Sequence, residues 1–377
     1  MKKSNRASAS AQKALLTANA QKPLLSMSAG KPLLTVGIDL GDRCSRYCIV
    51  NADGEVMEEG RIATTAAALE RHFTGEARQR IAMECGTHSP WVSRLLQGMG
   101  HEVWVANARK LRAITASESK NDRNDAEKLA RFAAYNPKLL SPIQHRSPER
   151  QRDLNLLQAR DTLVRARTML VNALRGLIKS AGHRLPKCST ESFARVAGKA
   201  IPPGYEGTAR PLIEQVAQLT EQIRGMDKQI EALAKRYPEV ERLRSVPGVG
   251  PVIAAAYVLT LDSPTAAEKS RAVGAFLGLR PRQSQSGNSD PQRRISKTGN
   301  DYLRRLLVQA AQYILGPFAP DSQLRRWGLK LAASGGKRGK KRAVVAVARK
   351  LAVLLHALWR SGERYRPFPE PASKVAA

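Results

Sequence analysis

The segment LLTVGIDLGDRCSRYCIVNADGEVMEEGRI, residues 33–62, determines the predicted fold of the N-terminal part of the chain. It begins with an apolar run, residues 33–39, which ends in the acid Asp39 and is followed by the alternating segment 45–51. Asp53-Gly54 is a strong signal for a tight hairpin turn, so residues 55–62 are expected to return as a third strand. The segment therefore predicts three consecutive antiparallel strands.

The sequence that follows alternates between helical and strand patterns. It predicts a helix over 64–73, a strand over 80–84, a helix over 90–98, a strand over 102–106 and a helix over about 123–134. Three antiparallel strands followed by alternating helices and strands is the order of the ribonuclease H-like (RuvC-like) fold. We therefore predict an α/β domain of this type over residues 33–136, followed by a linker marked by Pro137, Pro142 and Pro148.

The rest of the chain is predicted to be all-α. In the helical, coiled-coil region 149–240, one helix carries apolar residues four and three positions apart, the a/d spacing of a heptad repeat. This spacing fits either an antiparallel hairpin within one chain or a coiled coil that joins subunits. The heptad residues are Leu212, Val216, Leu219, Ile223, Met226, Ile230 and Leu233. A last helical domain is predicted over 241–362, with helices near 252–260, 269–277, 300–314 and 342–359.

The chain is strongly basic, with a formal net charge of +31 over 377 residues. Such an excess of Lys and Arg usually neutralises a polyanion, and nucleic acid is favoured over a membrane surface because the cations are not concentrated in one amphipathic helix. Aromatic residues make up only 5% of the chain, which favours gripping the phosphates of double-stranded DNA over stacking on unpaired bases.

The sequence carries no pattern typical of a secreted or membrane protein. Residues 1–32 are predicted to be a flexible basic arm and residues 363–377 a loose tail, and no run reaches the roughly 18 apolar residues that a membrane span needs. The four cysteines lack the paired spacing of zinc sites. A cytoplasmic protein with reduced cysteines and no membrane partner is expected.

Four acids stand where an RNase H-like fold brings chain segments together. Asp39 and Glu84 end two strands, and Asp122 and Asp125 stand three residues apart at a helix entrance. Carboxylates gathered in this way would repel one another unless they bound a hard divalent cation, most simply Mg²⁺, which can activate oxygens in phosphodiester chemistry.

Each acid also has another interpretation. Asp122 or Asp125 alone could be a helix N-terminal acid, and Glu84 alone could be structural. Asp39, in Gly37-Ile38-Asp39-Leu40-Gly41, also fits the first phosphate loop of a sugar-kinase or actin-like ATPase. Those ATPases need a second strand domain, whereas the second half of this chain has a helical pattern.

The C-terminal half contains three candidate nucleic-acid contacts. Gly248 and Gly250, in Val246-Pro247-Gly248-Val249-Gly250-Pro251, fit the hairpin of a helix-hairpin-helix element that presents N–H groups to phosphate, although an ordinary turn is the alternative. A basic loop spans 279–300, and a basic segment spans 337–342. Their cations are Arg280, Arg282, Arg293, Arg294 and Lys297 in the loop, and Lys337, Arg338, Lys340, Lys341 and Arg342 in the segment.

The basic loop is rich in hydroxyl groups as well as in guanidinium groups. It could be ordinary solvated surface. However, Ser286-Gly287 places a serine hydroxyl on a flexible backbone among arginines, which suits a nucleophile that forms a covalent ester with a DNA phosphate. Ser286 is therefore the candidate nucleophile.

Two sets of motifs together resemble a known family. Val36-Gly37-Ile38-Asp39, Met83-Glu84 and Lys120-Asn121-Asp122-Arg123-Asn124-Asp125-Ala126 resemble the DEDD module of the IS one-ten (IS116/IS902-like) insertion-sequence transposases, relatives of the Piv DNA invertases. The C-terminal module of that family is resembled by Pro247-Gly248-Val249-Gly250, Ala275-Phe276-Leu277-Gly278-Leu279, Pro281-Arg282-Gln283, Ser286-Gly287 and Ser296-Lys297-Thr298-Gly299-Asn300.

The resemblance implies a DNA recombinase in which Asp39, Glu84, Asp122 and Asp125 bind Mg²⁺ and Ser286 is the nucleophile. It also implies a noncoding guide (bridge) RNA as a partner and a homo-oligomer, either a dimer or a tetramer. The family often has Thr where Asn121 stands, and a His-Ser-Ser-Gly run where this chain has Ser284-Gln285-Ser286-Gly287, which leaves Ser284 as a rival nucleophile.

Two other functions fit parts of the sequence. A RuvC-like, structure-selective nuclease would use the acids alone and leave the basic loop without a role. A non-catalytic architectural protein would account for the charge and the heptads, but it would make the four ordered acids a coincidence.

Overall fold

The computed structural model describes residues 34–107 and 122–368, apart from positions 266, 288, 290, 292 and 335. The chain divides into two compact units, Met1–His145 and Arg146–Ala377. The predicted basic arm, residues 1–32, lies outside the described residues.

The first unit is built on a five-stranded sheet. The strands are β1 (Thr35–Asp39), β2 (Cys44–Val50), β3 (Val56–Ala63), β4 (Arg80–Glu84) and β5 (Glu102–Ala106). Their order is β3-β2-β1-β4-β5, with β1 to β3 antiparallel and with β4 parallel to both β1 and β5. The predicted antiparallel triplet and the alternation of helix and strand that follows it are confirmed, as is the mixed α/β class of this unit.

Helices cover both faces of this sheet, and they are α1 (Ala66–Phe73), α2 (Ser89–Gly98) and α3 (Asp122–Tyr135). Leu69 of α1 and Leu96 of α2 pack in one core with Ile38 and Ile81 of the sheet. Side chains alternate along a strand, so Ala82 belongs to the opposite face, where it packs against α3. A 3-10 turn, Pro137–Leu140, and a bridge between Val105 and Ile143 place residues 137–145 with the first unit.

The second unit is helical, as predicted. Its helices are α4 (Pro148–Ser180), α5 (Phe193–Gly198), α6 (Glu206–Ala234), α7 (Pro238–Arg244), α8 (Pro251–Leu261), α9 (Val273–Phe276), α10 (Asp301–Leu315), α11 (Gln323–Ser334) and α12 (Gly339–Ser361). The helix predicted over 269–277 is instead a 3-10 turn, Ser270–Ala272, followed by the single turn α9. The chain cannot continue as a helix beyond α9 because Gly278 has a positive φ of 67°.

Helices α4 and α6 form a long antiparallel pair. Arg160 Nε donates to Asp227 Oδ1 at 2.8 Å, and Arg167 Nη1 donates to Thr220 Oγ1 at 3.3 Å. The predicted heptad residues divide into two groups in this pair. Val216, Ile223, Ile230 and Leu233 are buried, whereas Leu212, Leu219 and Met226 are half-buried at its edge.

The larger core of the second unit surrounds α8. Every residue from Ala254 to Leu261 is buried, and the Tyr257 hydroxyl donates to the backbone oxygen of Ala352 at 2.6 Å. Tyr365 of the predicted tail is partly buried against this core, and Arg326 of α11 lies over the Phe368 ring at 4.8 Å. No described helix of the protein is both long enough and apolar enough to cross a membrane.

Candidate active site

Asp39 and Glu84 end adjacent parallel strands. Ile38 of β1 is paired with Met83 of β4, so the next residue on each strand is one of the two acids. Neighbouring strands lie about 4.8 Å apart, and residues in register have side chains on the same face of the sheet. Both acids are half-buried, which leaves them accessible at the carboxyl edge of the sheet.

The first turn of α3 lies at the same edge. Ala126 and Ala130 pack with Cys48 and Val50 of β2, and the oxygen of Ala133 accepts a hydrogen bond from Arg80 at the start of β4. The helix therefore runs antiparallel to β1 and β4, and its N-terminal turn lies towards the ends of these strands. That turn contains Asp122 and Asp125.

Gly37 is the residue that allows α3 to approach β1. A Cβ atom at this position would overlap the backbone oxygen of Ala126 and would lie 2.5 Å from the backbone nitrogen of Ala130. These backbone atoms cannot move aside as a side chain could. The small side chains of Ala126 and Ala130 face the same contact, so small residues on both elements bring the helix and its acids close to Asp39.

The acids do not form a complete coordination shell in this structure. Asp125 is half-buried and lies 4.0 Å from Lys128 Nζ. The side chain of Asp122 is outside the described part of the chain, and among the side chains that are described no group of three or more acids, histidines or cysteines is close enough to hold a metal ion. Asp39, Glu84 and Asp125 thus lie on segments that end or begin at the same edge of the sheet.

Replacing Gly37 by Ala is expected to destabilise the first unit by about 2–3 kcal/mol, because overpacking against a fixed backbone forces the helix off the sheet. Urea unfolding of the full chain, with hydrogen exchange of the β1 and α3 amides, would measure the loss. Gly98→Ala is the matched control, since nothing lies within 4 Å of a Cβ there. Equal stability of the two variants would contradict the close approach.

The basic loop, residues 279–300, forms an excursion between α9 and α10, and Ser286 lies at its tip. Pro281 is bridged to Ile295 near the base, and Arg282 N donates to Arg294 O at 3.0 Å. At the tip, Ser286 and Ser289 exchange two backbone hydrogen bonds of 3.0 Å. The excursion is therefore an irregular hairpin that exposes Ser286.

Cations surround this tip along both arms of the excursion. The exposed residues are Arg280, Arg282, Arg293, Arg294 and Lys297. Arg293 Nη2 donates to Ser284 Oγ at 3.4 Å, so the rival serine is held by an arginine. A phosphate that approached Ser286 would meet guanidinium groups from both arms.

The base of the excursion is pinned by two glycines of the quoted motifs and by Arg304, which the sequence analysis did not single out. A Cβ atom on Gly278 would overlap the oxygen of Thr298, and one on Gly299 would overlap the oxygen of Phe276. Arg304 is buried and donates to Leu277 O at 2.9 Å and to Asp301 Oδ1 at 2.7 Å. Hydrogen bonding by Arg305, supported by the charge of Arg304, lowers the pKa of Asp301, so the Asp301 carboxylate stays ionised. The two glycines that flank the basic loop were the available signal.

The glycine motif before α8 borders a groove of about 600 Å³. Gly248 has a φ of +83°, and Gly250 is the N-cap of α8, with no side chain capping the helix. Arg160 and Arg244 also line the groove. Arg160 is paired with Asp227, and Arg244 is paired with Glu231 and Glu241. The N–H groups at the start of α8 are therefore the donors that this groove offers to an anionic group.

The basic segment 337–342 spans a 3-10 turn and the start of α12. Arg338, Lys340, Lys341 and Arg342 are exposed, and the side chain of Lys337 lies outside the described ones. No acid is present in the first turn of α12. Cations at a helix N-terminus oppose the helix dipole, so an anion bound there would relieve an unfavourable arrangement.

Comparisons with known proteins match two regions of the chain. A DEDD-type family model described as "Transposase" matches residues 36–182, and the model "Transposase IS116/IS110/IS902 family" matches residues 240–324. A probable family 20 transposase of Pseudomonas aeruginosa is 30% identical over 76% of this chain and 86% of its own length. The chain belongs to this transposase family. The resemblance found in the motifs is confirmed.

Two further relatives match over most of their length. The transposase for insertion sequence element IS1111A of Coxiella burnetii is 29% identical over 88% of this chain and 91% of its own length. The pilin gene-inverting protein of Moraxella bovis is 22% identical over 88% of this chain and 97% of its own length. As an insertion-sequence transposase of the DEDD type, the chain belongs to a class of enzymes that act on DNA, cut and rejoin it, and use divalent metal ions.

Proposed function

We propose that this transposase cuts and rejoins double-stranded DNA with Mg²⁺ held by Asp39, Glu84, Asp122 and Asp125 and with Ser286 as the nucleophile. The observation that carries the proposal is the convergence of the ends of β1 and β4 and the start of α3 at one edge of the sheet. The proposal also includes two structural assignments: an RNase H-like (RuvC-like) fold for the first unit and a helix-hairpin-helix element at residues 246–251.

The donor set of the first unit fits a hard divalent cation. Asp39, Glu84 and Asp125 offer only carboxylate oxygens, and each is at least partly accessible to solvent. When bound, Mg²⁺ would polarise a phosphate oxygen and offset the charge that develops on an attacking or departing oxygen. The acids hold and orient the ion, and the half-open edge leaves room for a phosphodiester.

Ser286 would carry the covalent step. Its hydroxyl oxygen attacks the phosphorus and releases its proton, a serine–phosphate ester forms, and the bond from phosphorus to the departing strand breaks, which leaves a hydroxyl on that strand. Attack by the hydroxyl of another strand reverses the step and restores the serine. The energy of the phosphodiester is kept in the serine ester, so rejoining needs no external source of energy. Arg282 and Arg293, exposed on the two arms of the excursion, would balance the added charge.

The remaining basic features would position nucleic acid. The groove at Gly248 and Gly250, together with the start of α12, offers phosphate contacts that fix register but carry no base specificity. Following the resemblance, the proposal includes a noncoding guide RNA that supplies specificity and a homo-oligomeric assembly. In such an assembly, the acids of one subunit could serve the serine of another.

The decisive experiment looks for a serine-linked adduct. The nuclease-treated protein is incubated with RNA transcribed from its flanking element, labelled donor and target DNA, and Mg²⁺, with EDTA replacing Mg²⁺ in the control. A denaturing gel should show a protein–DNA adduct only with Mg²⁺, and peptide mass spectrometry should place the phosphate on Ser286. Cleavage without any adduct would instead identify a nuclease that works through the acids alone.

A further inference from the structure

The short connection between α10 and α11 exposes an aromatic ring. It contains the segment Gly316-Pro317-Phe318-Ala319-Pro320, which we call the Phe318 turn, and its Phe318 side chain is 87% exposed. A single exposed apolar residue is common in soluble proteins and carries no function by itself. Two features distinguish Phe318 from such a residue: the way in which its backbone is held, and the charge of the chain that follows it.

An arginine of α11 holds the Phe318 turn in one shape. Arg325 Nη2 donates to Gly316 O at 2.8 Å, and Arg325 Nε donates to Ala319 O at 3.2 Å. The two acceptors lie on either side of Phe318 in the chain, so one guanidinium group closes the turn. The rings of the two prolines in the segment fix their own φ angles as well. The backbone that carries Phe318 is therefore rigid.

The helices on both sides of the turn are packed closely. A Cβ atom on Gly328 of α11 would lie 2.7 Å from Leu315 Cδ2, at the end of α10, and 2.5 Å from Val347 Cγ2 of α12. Ser322 is buried just before α11, and its Oγ accepts a hydrogen bond from Arg325 N at 3.1 Å. The turn is thus fixed to the helices around it, so a partner that covers its tip orders little additional backbone on binding.

The chain that follows the turn is densely basic. Residues 323–350 contain ten Lys and Arg residues and no Asp or Glu. Arg326 and Lys330 are both exposed and stand four residues apart on α11, so they lie on the same side of that helix. Asp321, the acid nearest to Phe318 in the sequence, is bridged to Arg326 at 2.6 Å. Phe318 is therefore an apolar tip at the start of a cationic helix.

An apolar tip beside many cations fits duplex DNA better than it fits a protein surface. A second copy of this chain, with its net charge of +31, would place cations against cations. DNA offers phosphates to the cations and, between its two backbones, stacked base pairs that a ring can enter. Proteins that bend DNA insert Phe, Pro and similar side chains between neighbouring base pairs. A ring on a protruding turn fits such a base step, whereas unpaired bases are bound along a groove.

We propose that Phe318 is a wedge, a side chain that enters a base step of double-stranded DNA and untwists the duplex there, while exposed cations of α11 bind the adjacent phosphates. Strand exchange requires base pairs to open, and an inserted ring keeps a step unstacked. This inference rests on the proposed function only for duplex DNA as the partner. It requires neither the metal site nor the serine, so its test is run without cutting.

The test measures how far the bound protein untwists a closed circular plasmid. The nuclease-treated full chain is bound to the plasmid in EDTA, which withholds the divalent ions that cutting would need, and a topoisomerase that works without metal ions relaxes the DNA. A gel resolves the topoisomers after the protein is removed, and the linking number should fall in proportion to bound protein. Phe318→Ala should reduce this change per bound chain at least about 3-fold, whereas Phe318→Leu, which keeps an apolar wedge, should retain most of it.

Tyr135→Ala is the matched control, since it removes a ring that is 86% exposed on the first unit. This variant should untwist the plasmid as the unchanged chain does. Phe318→Ala should keep the salt dependence of duplex binding, because no phosphate contact is lost, whereas Lys330→Gln should reduce the slope of log affinity against log salt by about 0.9. Circular dichroism establishes that each variant is folded.

Three results would overturn the wedge. The first is an unchanged linking number when the plasmid is saturated with the unchanged chain, and the second is equal untwisting by Phe318→Ala and the unchanged chain. The third is tighter binding of single-stranded DNA than of duplex, lost in Phe318→Ala, which would assign the ring to unpaired bases instead. The adduct assay, run with Mg²⁺, reports separately on the proposed metal and serine chemistry.

Discussion

Replacing Asp39 by Asn, or Glu84 by Gln, is expected to lower the rate of DNA cleavage by about 1,000-fold, equivalent to about 4 kcal/mol of transition-state stabilisation. Each change keeps the shape of the side chain and removes one negative charge from the edge where β1 and β4 end. The site would then hold a divalent cation less tightly. DNA affinity should stay the same or increase, because an acid near phosphate has been removed. Single-turnover cleavage and filter binding at one fixed salt concentration measure the two effects.

Asp53→Asn is the matched control for these two variants. It makes the same chemical change in an exposed hairpin turn, a position that Asn also suits. Cleavage by this variant should equal that of the unchanged chain. If Asp39→Asn and Glu84→Gln also cleave at the original rate, the acids are structural and the proposed metal site is wrong.

Ser286→Ala is expected to abolish the covalent protein–DNA adduct, with a loss of at least about 1,000-fold in strand exchange, because no other group would supply the attacking oxygen. The side chain is exposed at the tip of its loop, so the fold should be unaffected. Quantifying the adduct on a denaturing gel under single-turnover conditions gives the measurement.

Ser284→Ala separates the two candidate serines. Ser284 is exposed, two residues away and hydrogen-bonded to Arg293, so its removal should reduce the adduct several-fold at most. Loss of the adduct in Ser284→Ala but not in Ser286→Ala would move the nucleophile to Ser284. Normal strand exchange in the double variant Ser284→Ala/Ser286→Ala would exclude an intermediate on either of these serines.

The strands were predictable because their signals are local. The Asp53-Gly54 turn and the alternating segments around it specify three antiparallel strands, and the observed boundaries of β1 to β5 lie within two residues of the predicted ones. The distance between α3 and β1 was not predictable. It depends on an absent Cβ at Gly37 meeting the backbone of Ala126, a contact between segments far apart in the chain.

The heptad spacing on α6 had two interpretations that sequence alone could not separate. In the structure, the heptad residues divide between two positions. Val216 and Ile223 are buried against α4 within the chain, while Leu219 and Met226 are half-buried at the edge of the α4–α6 pair. Periodicity gives the angular position of a residue on its helix. It does not reveal which neighbouring element covers each side of the helix, because the cover depends on where the partner helix lies.

The short and polar elements were the least predictable. α11 was missed because it is short and Arg325, Arg326 and Lys330 interrupt its apolar residues, of which only Leu324 is buried, together with Gly328. The buried anchor Arg304 was missed for a related reason, since an arginine in a basic chain is expected at the surface. Its hydrogen bonds to the backbone oxygens of Leu277 and Thr298 become visible only once the loop is folded.

The fastening at Gly278 and Gly299 has a consequence for how such enzymes can diversify. Since the two ends of the excursion are fixed to each other and to Arg304, changes in the tip at positions other than Ser286 and its arginines should disturb the helices beneath only slightly. The base of the excursion therefore stays fixed when other residues of the tip are changed. Such changes could adapt the loop to different DNA backbones around the same serine without rebuilding the helices that carry it.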